Sequence, residues 1–141
     1  MRFAGELSDD DRIALGIELP HEQDINQYVD LGFTLHYFFT RKVLFVRYSS
    51  AFVCFPGGFG TLDELFEVLT LRQTQKIASF PVVLFGTRYW QGLLDWLRDA
   101  VATEGKIAAV DHERIVCTDD PEEVVALVEA AEHRRPRSAA A

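Results

Sequence analysis

The sequence predicts one Rossmann-like α/β domain, in which an open, mostly parallel, doubly wound sheet carries helices on both faces. Short apolar runs typical of strands alternate along the chain with longer segments whose apolar residues recur at helical spacing. A length of 141 residues and a hydrophobic content of 48% suit one core rather than two domains. We expect this domain to occupy residues 1–132, because the segment 133–141 (HRRPRSAAA) has too little apolar surface to pack and is expected to form a flexible tail.

The first half of the chain predicts two strands, at 13–19 and 33–39, followed by a helix at 41–48 (RKVLFVRY). The apolar residues of 41–48 also have strand propensity. A crossover from 33–39 to a parallel neighbour at 51–55 usually takes about a dozen residues and contains a helix, which decides the assignment. Because this segment is apolar on almost every side, we expect a short buried helix that packs against the sheet and a second subunit.

Three further apolar runs predict strands: residues 51–55 (AFVCF), 81–85 and 114–117. An amphipathic helix is expected to begin near Thr61, directly after the first of these strands. A second helical segment, 90–105, contains its own stop at Gly105. The last helix is expected to open at Pro121, after two aspartates that we interpret as structural, since acids suit the positive end of a helix dipole.

The stretch Pro56 to Glu64 (PGGFGTLDE) places a glycine-rich turn between a strand and a helix. Its glycines would allow positive φ and a close approach of the backbone to a ligand, while the helix directs its first N–H groups to the same place. A phosphate would suit this site. The alternative is a T-x-x-E capping box, in which Thr61 caps the helix and Glu64 reaches back to the N–H of the cap residue. Local sequence alone favours the cap.

Several other functions are excluded by the motifs. The segment lacks the third glycine of a dinucleotide fingerprint and the Gly-Lys-Ser/Thr of a Walker loop, which argues against NAD binding and ATP hydrolysis. The four histidines show no metal-ligand spacing with each other or with the two cysteines, so no metal site is expected. Cys54 and Cys117 lie in apolar runs and are predicted to be buried free thiols.

Charge and hydropathy restrict the partners and the location. A net charge of −8, without a basic stripe, argues against nucleic acid as a partner. No apolar run approaches the roughly 20 residues of a membrane span, and residues 1–12 lack the apolar centre of a signal peptide. We therefore expect no membrane partner and a cytoplasmic location.

The glycine motif also belongs to a longer pattern. Arg41 and Lys42, followed by PGGFGTLDE, resemble the paired R-K…P-G-G-x-G-T-x-x-E motif of the "lonely guy" phosphoribohydrolases, many of which carry the older label lysine-decarboxylase-like. The similarity runs from about Gly16 to the last helix. It includes the segments IELPHEQ, YFFTRKVLFVRYSSAFV, LTLRQTQKI and FPVVLFGTRYW.

This resemblance implies cleavage of the N-glycosidic bond of a nucleoside 5′-monophosphate, either AMP or a cytokinin riboside monophosphate, by a homodimer or a larger homo-oligomer. It implies that Arg41 and Glu64 are the catalytic pair and that Lys42 supplies supporting charge. The residues that would hold the 5′-phosphate are Gly57, Gly58, Gly60 and Thr61. No cofactor is expected, because the three lysines lack the surroundings of a pyridoxal phosphate site.

The pattern leaves alternatives open. Similar chains begin with a strand and a separate glycine-rich turn before the segment that starts at Gly16. We therefore expect this chain to be a fragment, a short gene product or a form that has lost the first βαβ unit of the family. A non-catalytic nucleotide-binding or sensing domain is therefore the second hypothesis. In a third, the glycines form only a tight turn and Arg41 pairs with Glu64. Tyr89 and Trp90 would be able to stack on a base, but packing in the core or in a hydrophobic staple is favoured.

Overall fold

A computed structural model describes residues 12–17, 27–77, 80–108, 110–111 and 114–134. After the first two strands, strands and helices alternate along the described part of the chain, and all of the described strand pairs are parallel. This arrangement confirms the predicted α/β, Rossmann-like class. By its internal contacts the chain divides into two compact units, Met1–Tyr48 and Ser49–Ala141. In the described part of the chain, no helix has both the length and the apolar composition needed to cross a bilayer.

The first unit contains a parallel pair of strands, β1 (Ile13–Ile17) and β2 (Leu31–Leu35). Their register pairs Ile13 with Leu31 and continues to Ile17 with Leu35. Strand β2 begins two residues earlier and ends four residues earlier than predicted. Phe38 and Phe39, which were predicted to end this strand, have high strand propensity, but they begin the next helix instead. Residues 18 and 19 of the predicted first strand lie outside the described residues.

Helix α1 (Phe38–Tyr48) confirms the helix predicted at 41–48 and extends it by three residues at the start. The expected burial is not observed, since none of its residues is buried within the chain. Phe39 is 65% exposed and Val43 is 57% exposed.

The second unit contains three parallel strands in the order β3 (Phe52–Cys54), β4 (Val82–Phe85) and β5 (Ile115–Thr118). Strand β4 lies between the other two, and its first three residues are fully buried. The core around them consists of apolar side chains from all parts of this unit: Cys54, Leu65, Val68, Trp90, Leu97 and Ala131. The strands agree with the three predicted apolar runs to within one residue at each end.

Three helices follow these strands: α2 (Phe59–Gln73), α3 (Thr87–Trp96) and α4 (Pro121–Arg134). Helix α3 continues as a π-helical segment, Leu97–Ala102, and Gly105 then takes φ 70°, which confirms the predicted stop. Helix α4 opens at Pro121 as predicted. Asp120 caps it, because Asp120 Oδ1 accepts the backbone N–H of Glu122 at 2.9 Å. The helix includes the first two residues of the predicted tail, and residues 135–141 lie outside the described part of the chain.

Arg72 fixes the far end of α2. Its guanidinium is buried and donates to two backbone carbonyl oxygens just before β5, those of Asp111 at 3.1 Å and Arg114 at 3.2 Å. Buried donors of this kind are costly to leave unpaired, so they hold the helix and the loop together. The opposite end of α2, which carries the glycine motif, is thus built on an anchored helix.

Candidate active site

The second unit brings three strand ends to one edge, because parallel strands finish on the same side of a sheet. The glycine loop, residues 56–60, follows β3 and opens α2. Gly86 follows β4 and opens α3, and Asp119 follows β5 and precedes α4. Ligands of open α/β sheets usually bind at this edge.

Helix α2 begins two residues before Thr61. Gly58 is the N-cap residue, with φ −88° and ψ −154°, and its carbonyl oxygen accepts the N–H of Leu62 at 3.1 Å. The capping-box interpretation is therefore wrong: Thr61 is the third residue of the helix, because Phe59 and Gly60 already have helical conformation. The N–H groups of the first turn have no carbonyl partner within the helix, and the positive end of the dipole lies there.

Two kinds of glycine occur in the glycine loop. A Cβ on Gly57 would lie 2.1 Å from Thr61 Oγ1 and 2.9 Å from Thr61 Cβ, so only glycine fits beneath this side chain. A Cβ on Gly58 or Gly60 would meet no atom within 4 Å. The expected positive φ is not found in this loop; among the described glycines it occurs at Gly86 and Gly105. Neither packing nor backbone conformation thus requires glycine at 58 and 60, where the backbone faces open space.

Glu64 lies one turn after the start of α2 and is only 9% exposed. Its charge affects the thiol of Cys54, the last residue of β3, which indicates that Glu64 lies close to the end of this strand. Burial, and then the charge of Glu64, raise the pKa of Cys54 to about 11. Because the Glu64 side chain is buried, its position depends on helix α2 and on the packing around it. Both cysteines are free thiols, as predicted, although Cys117 is only half-buried.

The reactivity of Cys54 gives a test of its closeness to Glu64. We expect slow alkylation at about pH 8, with a rate that increases as the pH approaches the raised pKa, because only the thiolate reacts. Glu64→Gln removes one cause of the shift and should lower the pKa, so alkylation at a fixed pH should become faster. Mass spectrometry with iodoacetamide in a Cys117→Ala background measures this rate. An equal rate with and without the Glu64 charge would contradict the proximity.

Arg41 and Lys42 lie in helix α1 of the first unit, and both are half-buried. The guanidinium carbon of Arg41 lies 5.4 Å from the ring centroid of Phe38 and 6.0 Å from that of Phe45. These aromatic faces favour a cation and restrict the side chain. The convergence of Arg41 with Glu64 stays a prediction, since the two residues belong to different units.

One contact of the glycine loop was not predicted from the sequence. Trp90 is buried, as predicted, and its indole N–H donates to the carbonyl oxygen of Phe85 at 3.1 Å. Tyr89, in contrast, is 50% exposed, and its hydroxyl donates to the carbonyl oxygen of Gly57 at 2.6 Å. The sequence did place Tyr89 shortly after β4, and β4 is the neighbour of the strand that precedes the glycine loop. This position was the available signal for the contact. Of the two kinds of packing expected for Tyr89, core or staple packing, this exposure contradicts packing in the core.

The fold and the glycine loop together define a Rossmann-like α/β protein with a helix-opening glycine motif at the carboxyl edge of a parallel sheet. The chain matches the family model described as "Possible lysine decarboxylase" over residues 5–128. It therefore belongs to this family, and the resemblance to the "lonely guy" group is confirmed.

Curated relatives of the chain carry a more specific name. It is 33% identical over 94 residues to the cytokinin riboside 5′-monophosphate phosphoribohydrolase of Rhodococcoides fascians, a match that covers 67% of this chain and 47% of the relative. A protein of the same name from Arabidopsis thaliana is 39% identical over 90 residues, 63% of this chain and 41% of the relative. A probable enzyme of this name from Oryza sativa is 36% identical over 98 residues, 69% of this chain and 38% of the relative. The chain thus spans less than half the length of these relatives.

Proposed function

We propose that this chain hydrolyses the N-glycosidic bond of a nucleoside 5′-monophosphate, AMP or a cytokinin riboside monophosphate, to the free base and ribose 5-phosphate. The observation that carries the proposal is the open space above Gly58 and Gly60 at the start of α2. A ligand that needs close contact with backbone N–H groups explains glycines that the free protein does not require. The names of the relatives support the same class of substrate.

The 5′-phosphate would bind at the first turn of α2. The N–H groups of Gly58, Gly60 and Thr61 are suitable donors there, and the Thr61 hydroxyl lies against Gly57 at the same place. Phosphate at a helix N-terminus gains both hydrogen bonds and favourable dipole interaction. In this arrangement the phosphate fixes the register of the nucleotide.

Glu64 would act at the sugar. As the bond from C1′ to the base nitrogen breaks, positive charge develops on the ribose ring, and a buried carboxylate stabilises it. The oxygen of a water molecule then forms the new bond to C1′, and a proton from this water goes to the departing base. Arg41 would neutralise the phosphate or orient Glu64, which suits a permanently charged guanidinium. Lys42 would add supporting charge.

The alternative is a nucleotide-binding or sensing domain that retains the phosphate site without turnover. The open space at Gly58 and Gly60 favours it, because this feature supports phosphate binding and does not by itself require hydrolysis. The experiment is chromatographic detection of free base after incubation with AMP, isopentenyladenosine monophosphate, GMP and CMP. Base release supports the hydrolase, and the preferred substrate identifies its role. AMP binding without release supports the alternative.

We also propose that a second copy of the chain covers helix α1, whose apolar side chains are exposed. The expected mass in solution is twice the 16.0 kDa of one chain. Val43→Glu should shift it towards one chain, because a charge would be buried in the interface. The matched control is Val125→Glu in α4, where the valine is similarly exposed at 55%. Light scattering after size-exclusion chromatography measures both variants, and a monomeric parent would refute the proposal.

A further inference from the structure

We propose that the hydroxyl of Tyr89 is a positioning group that sets the orientation of the Gly57–Gly58 peptide for phosphate binding. This inference rests on the proposed function. It assigns a role to a residue outside the R-K…P-G-G-x-G-T-x-x-E motif. The Tyr89 hydroxyl donates a hydrogen bond of 2.6 Å to the Gly57 carbonyl oxygen.

A trans peptide unit is planar, and its C=O and N–H groups point in opposite directions. The described residues contain no cis peptide bond. Because Tyr89 holds the carbonyl of Gly57, the N–H of Gly58 must point away from Tyr89. A single hydrogen bond on one side of the peptide therefore determines where the donor on the other side is directed.

The Gly57–Gly58 peptide needs such a constraint. Glycine on both sides of a peptide gives the backbone more conformational freedom than any other pair, so rotation of the peptide plane is easy. Thr61 leaves no room for a Cβ on Gly57. This packing does not by itself fix the direction of the Gly57 carbonyl. The Tyr89 hydroxyl supplies the second restraint. Ordering the loop before the ligand arrives lowers the entropic cost of binding.

Tyr89 is itself held in place by contacts at the start of helix α3. Its own N–H donates to the carbonyl oxygen of Gly86 at 3.0 Å, and its ring lies edge-to-face on buried Trp90 with 4.8 Å between centroids. The preceding Thr87 donates to the carboxylate of Asp119 through its hydroxyl and, at 2.8 Å, through its N–H. These hydrogen bonds hold the pKa of Asp119 below its ordinary value and join the ends of β4 and β5.

Gly86 also contributes to the position of Tyr89, because it packs closely against the glycine loop. It has φ 105°, and a Cβ there would lie 3.2 Å from Cγ of Pro56, the first residue of the glycine loop. The turn after β4 and the glycine loop after β3 are thus in close contact. The start of α3 fixes the position of the Tyr89 hydroxyl relative to the loop that it holds.

The test is Tyr89→Phe, which keeps the ring and removes only the hydroxyl. We expect KM for AMP to increase about 3- to 10-fold, the range for one net hydrogen bond, and kcat to change less than twofold. Inhibition by ribose 5-phosphate should weaken by the same factor as KM, while inhibition by free adenine stays unchanged. The control is Tyr28→Phe, which removes a hydroxyl from another exposed tyrosine. Thermal unfolding checks that both variants are folded.

The results separate this inference from the proposed function. Base release by the parent with an unchanged KM in Tyr89→Phe would overturn the positioning role and leave the hydrolase intact. A fall in kcat alone, or equal losses for ribose 5-phosphate and adenine, would also overturn it. If the parent releases no base, calorimetric titration with ribose 5-phosphate decides: weaker binding by Tyr89→Phe supports the role. Equal binding, or none by the parent, refutes it.

Discussion

Glu64→Gln is expected to lower the rate of base release at least about 10²- to 10³-fold and to change the Kd for AMP less than about threefold. Glutamine has nearly the same shape as glutamate, so the buried position in α2 is retained. What is lost is the negative charge, and groups that stabilise charge developing in the transition state have effects of this size. Because the charge of the ground-state nucleotide lies on its phosphate, AMP should still bind.

The matched control is Glu67→Gln, one turn further along the same helix and half-buried. It should release base at nearly the rate of the parent. Rates come from chromatography of free adenine and affinities from calorimetry. Undiminished hydrolysis by Glu64→Gln would remove this residue from the mechanism. Loss of both hydrolysis and binding would place Glu64 in the support of the glycine loop instead.

Gly57→Ala and Gly58→Ala are expected to differ, although the two residues are adjacent. Gly57→Ala should lower the free energy of unfolding by about 1–3 kcal/mol, because the new methyl group collides with Thr61 and the glycine loop must shift. Gly58→Ala should cost less than about 1 kcal/mol, since its φ is negative and its Cβ would enter open space, and the lower preference for alanine at an N-cap is then the main cost. Stability alone thus separates the two.

Gly58→Ala is expected to have a large effect on ligand affinity, in contrast to its small effect on stability. If the open space receives a phosphate, the methyl group of Gly58→Ala should weaken the affinity for AMP and ribose 5-phosphate at least about tenfold without unfolding the protein. Chemical denaturation measures stability and calorimetry measures affinity. A fully stable Gly58→Ala with the affinity of the parent would mean that the glycine loop is only a tight turn.

Much of the fold was predictable because its determinants are local. Pro121 opens α4 and Gly105 ends the segment after α3, as their backbone preferences require. The runs that became β3, β4 and β5 are apolar almost throughout, which is typical of strands buried on both faces. The boundary between β2 and α1 was misplaced because Tyr37 to Phe39 favour strands by propensity, and tertiary context overrides that preference.

The site was predictable in its residue types and not in its contacts. The T-x-x-E pattern indicated a helix start at Thr61, but glycine at 58 serves as the N-cap without a side chain, and no local pattern distinguishes these two registers. The partner of the Tyr89 hydroxyl lies 32 residues away along the chain. A hydrogen bond of that kind depends on strand order, which only the folded sheet supplies.

The central place of β4 has a consequence for how this site forms during folding. The glycine loop follows β3 and Asp119 follows β5, and β4 lies between these two strands in the described sheet. Parallel pairing requires long-range chain closure before any contact is gained, so such sheets assemble late and cooperatively. The Tyr89 contact cannot exist in a partly folded chain that lacks β4. Competence to bind should therefore return with global refolding, in a single kinetic phase, rather than with the earlier formation of helix α2.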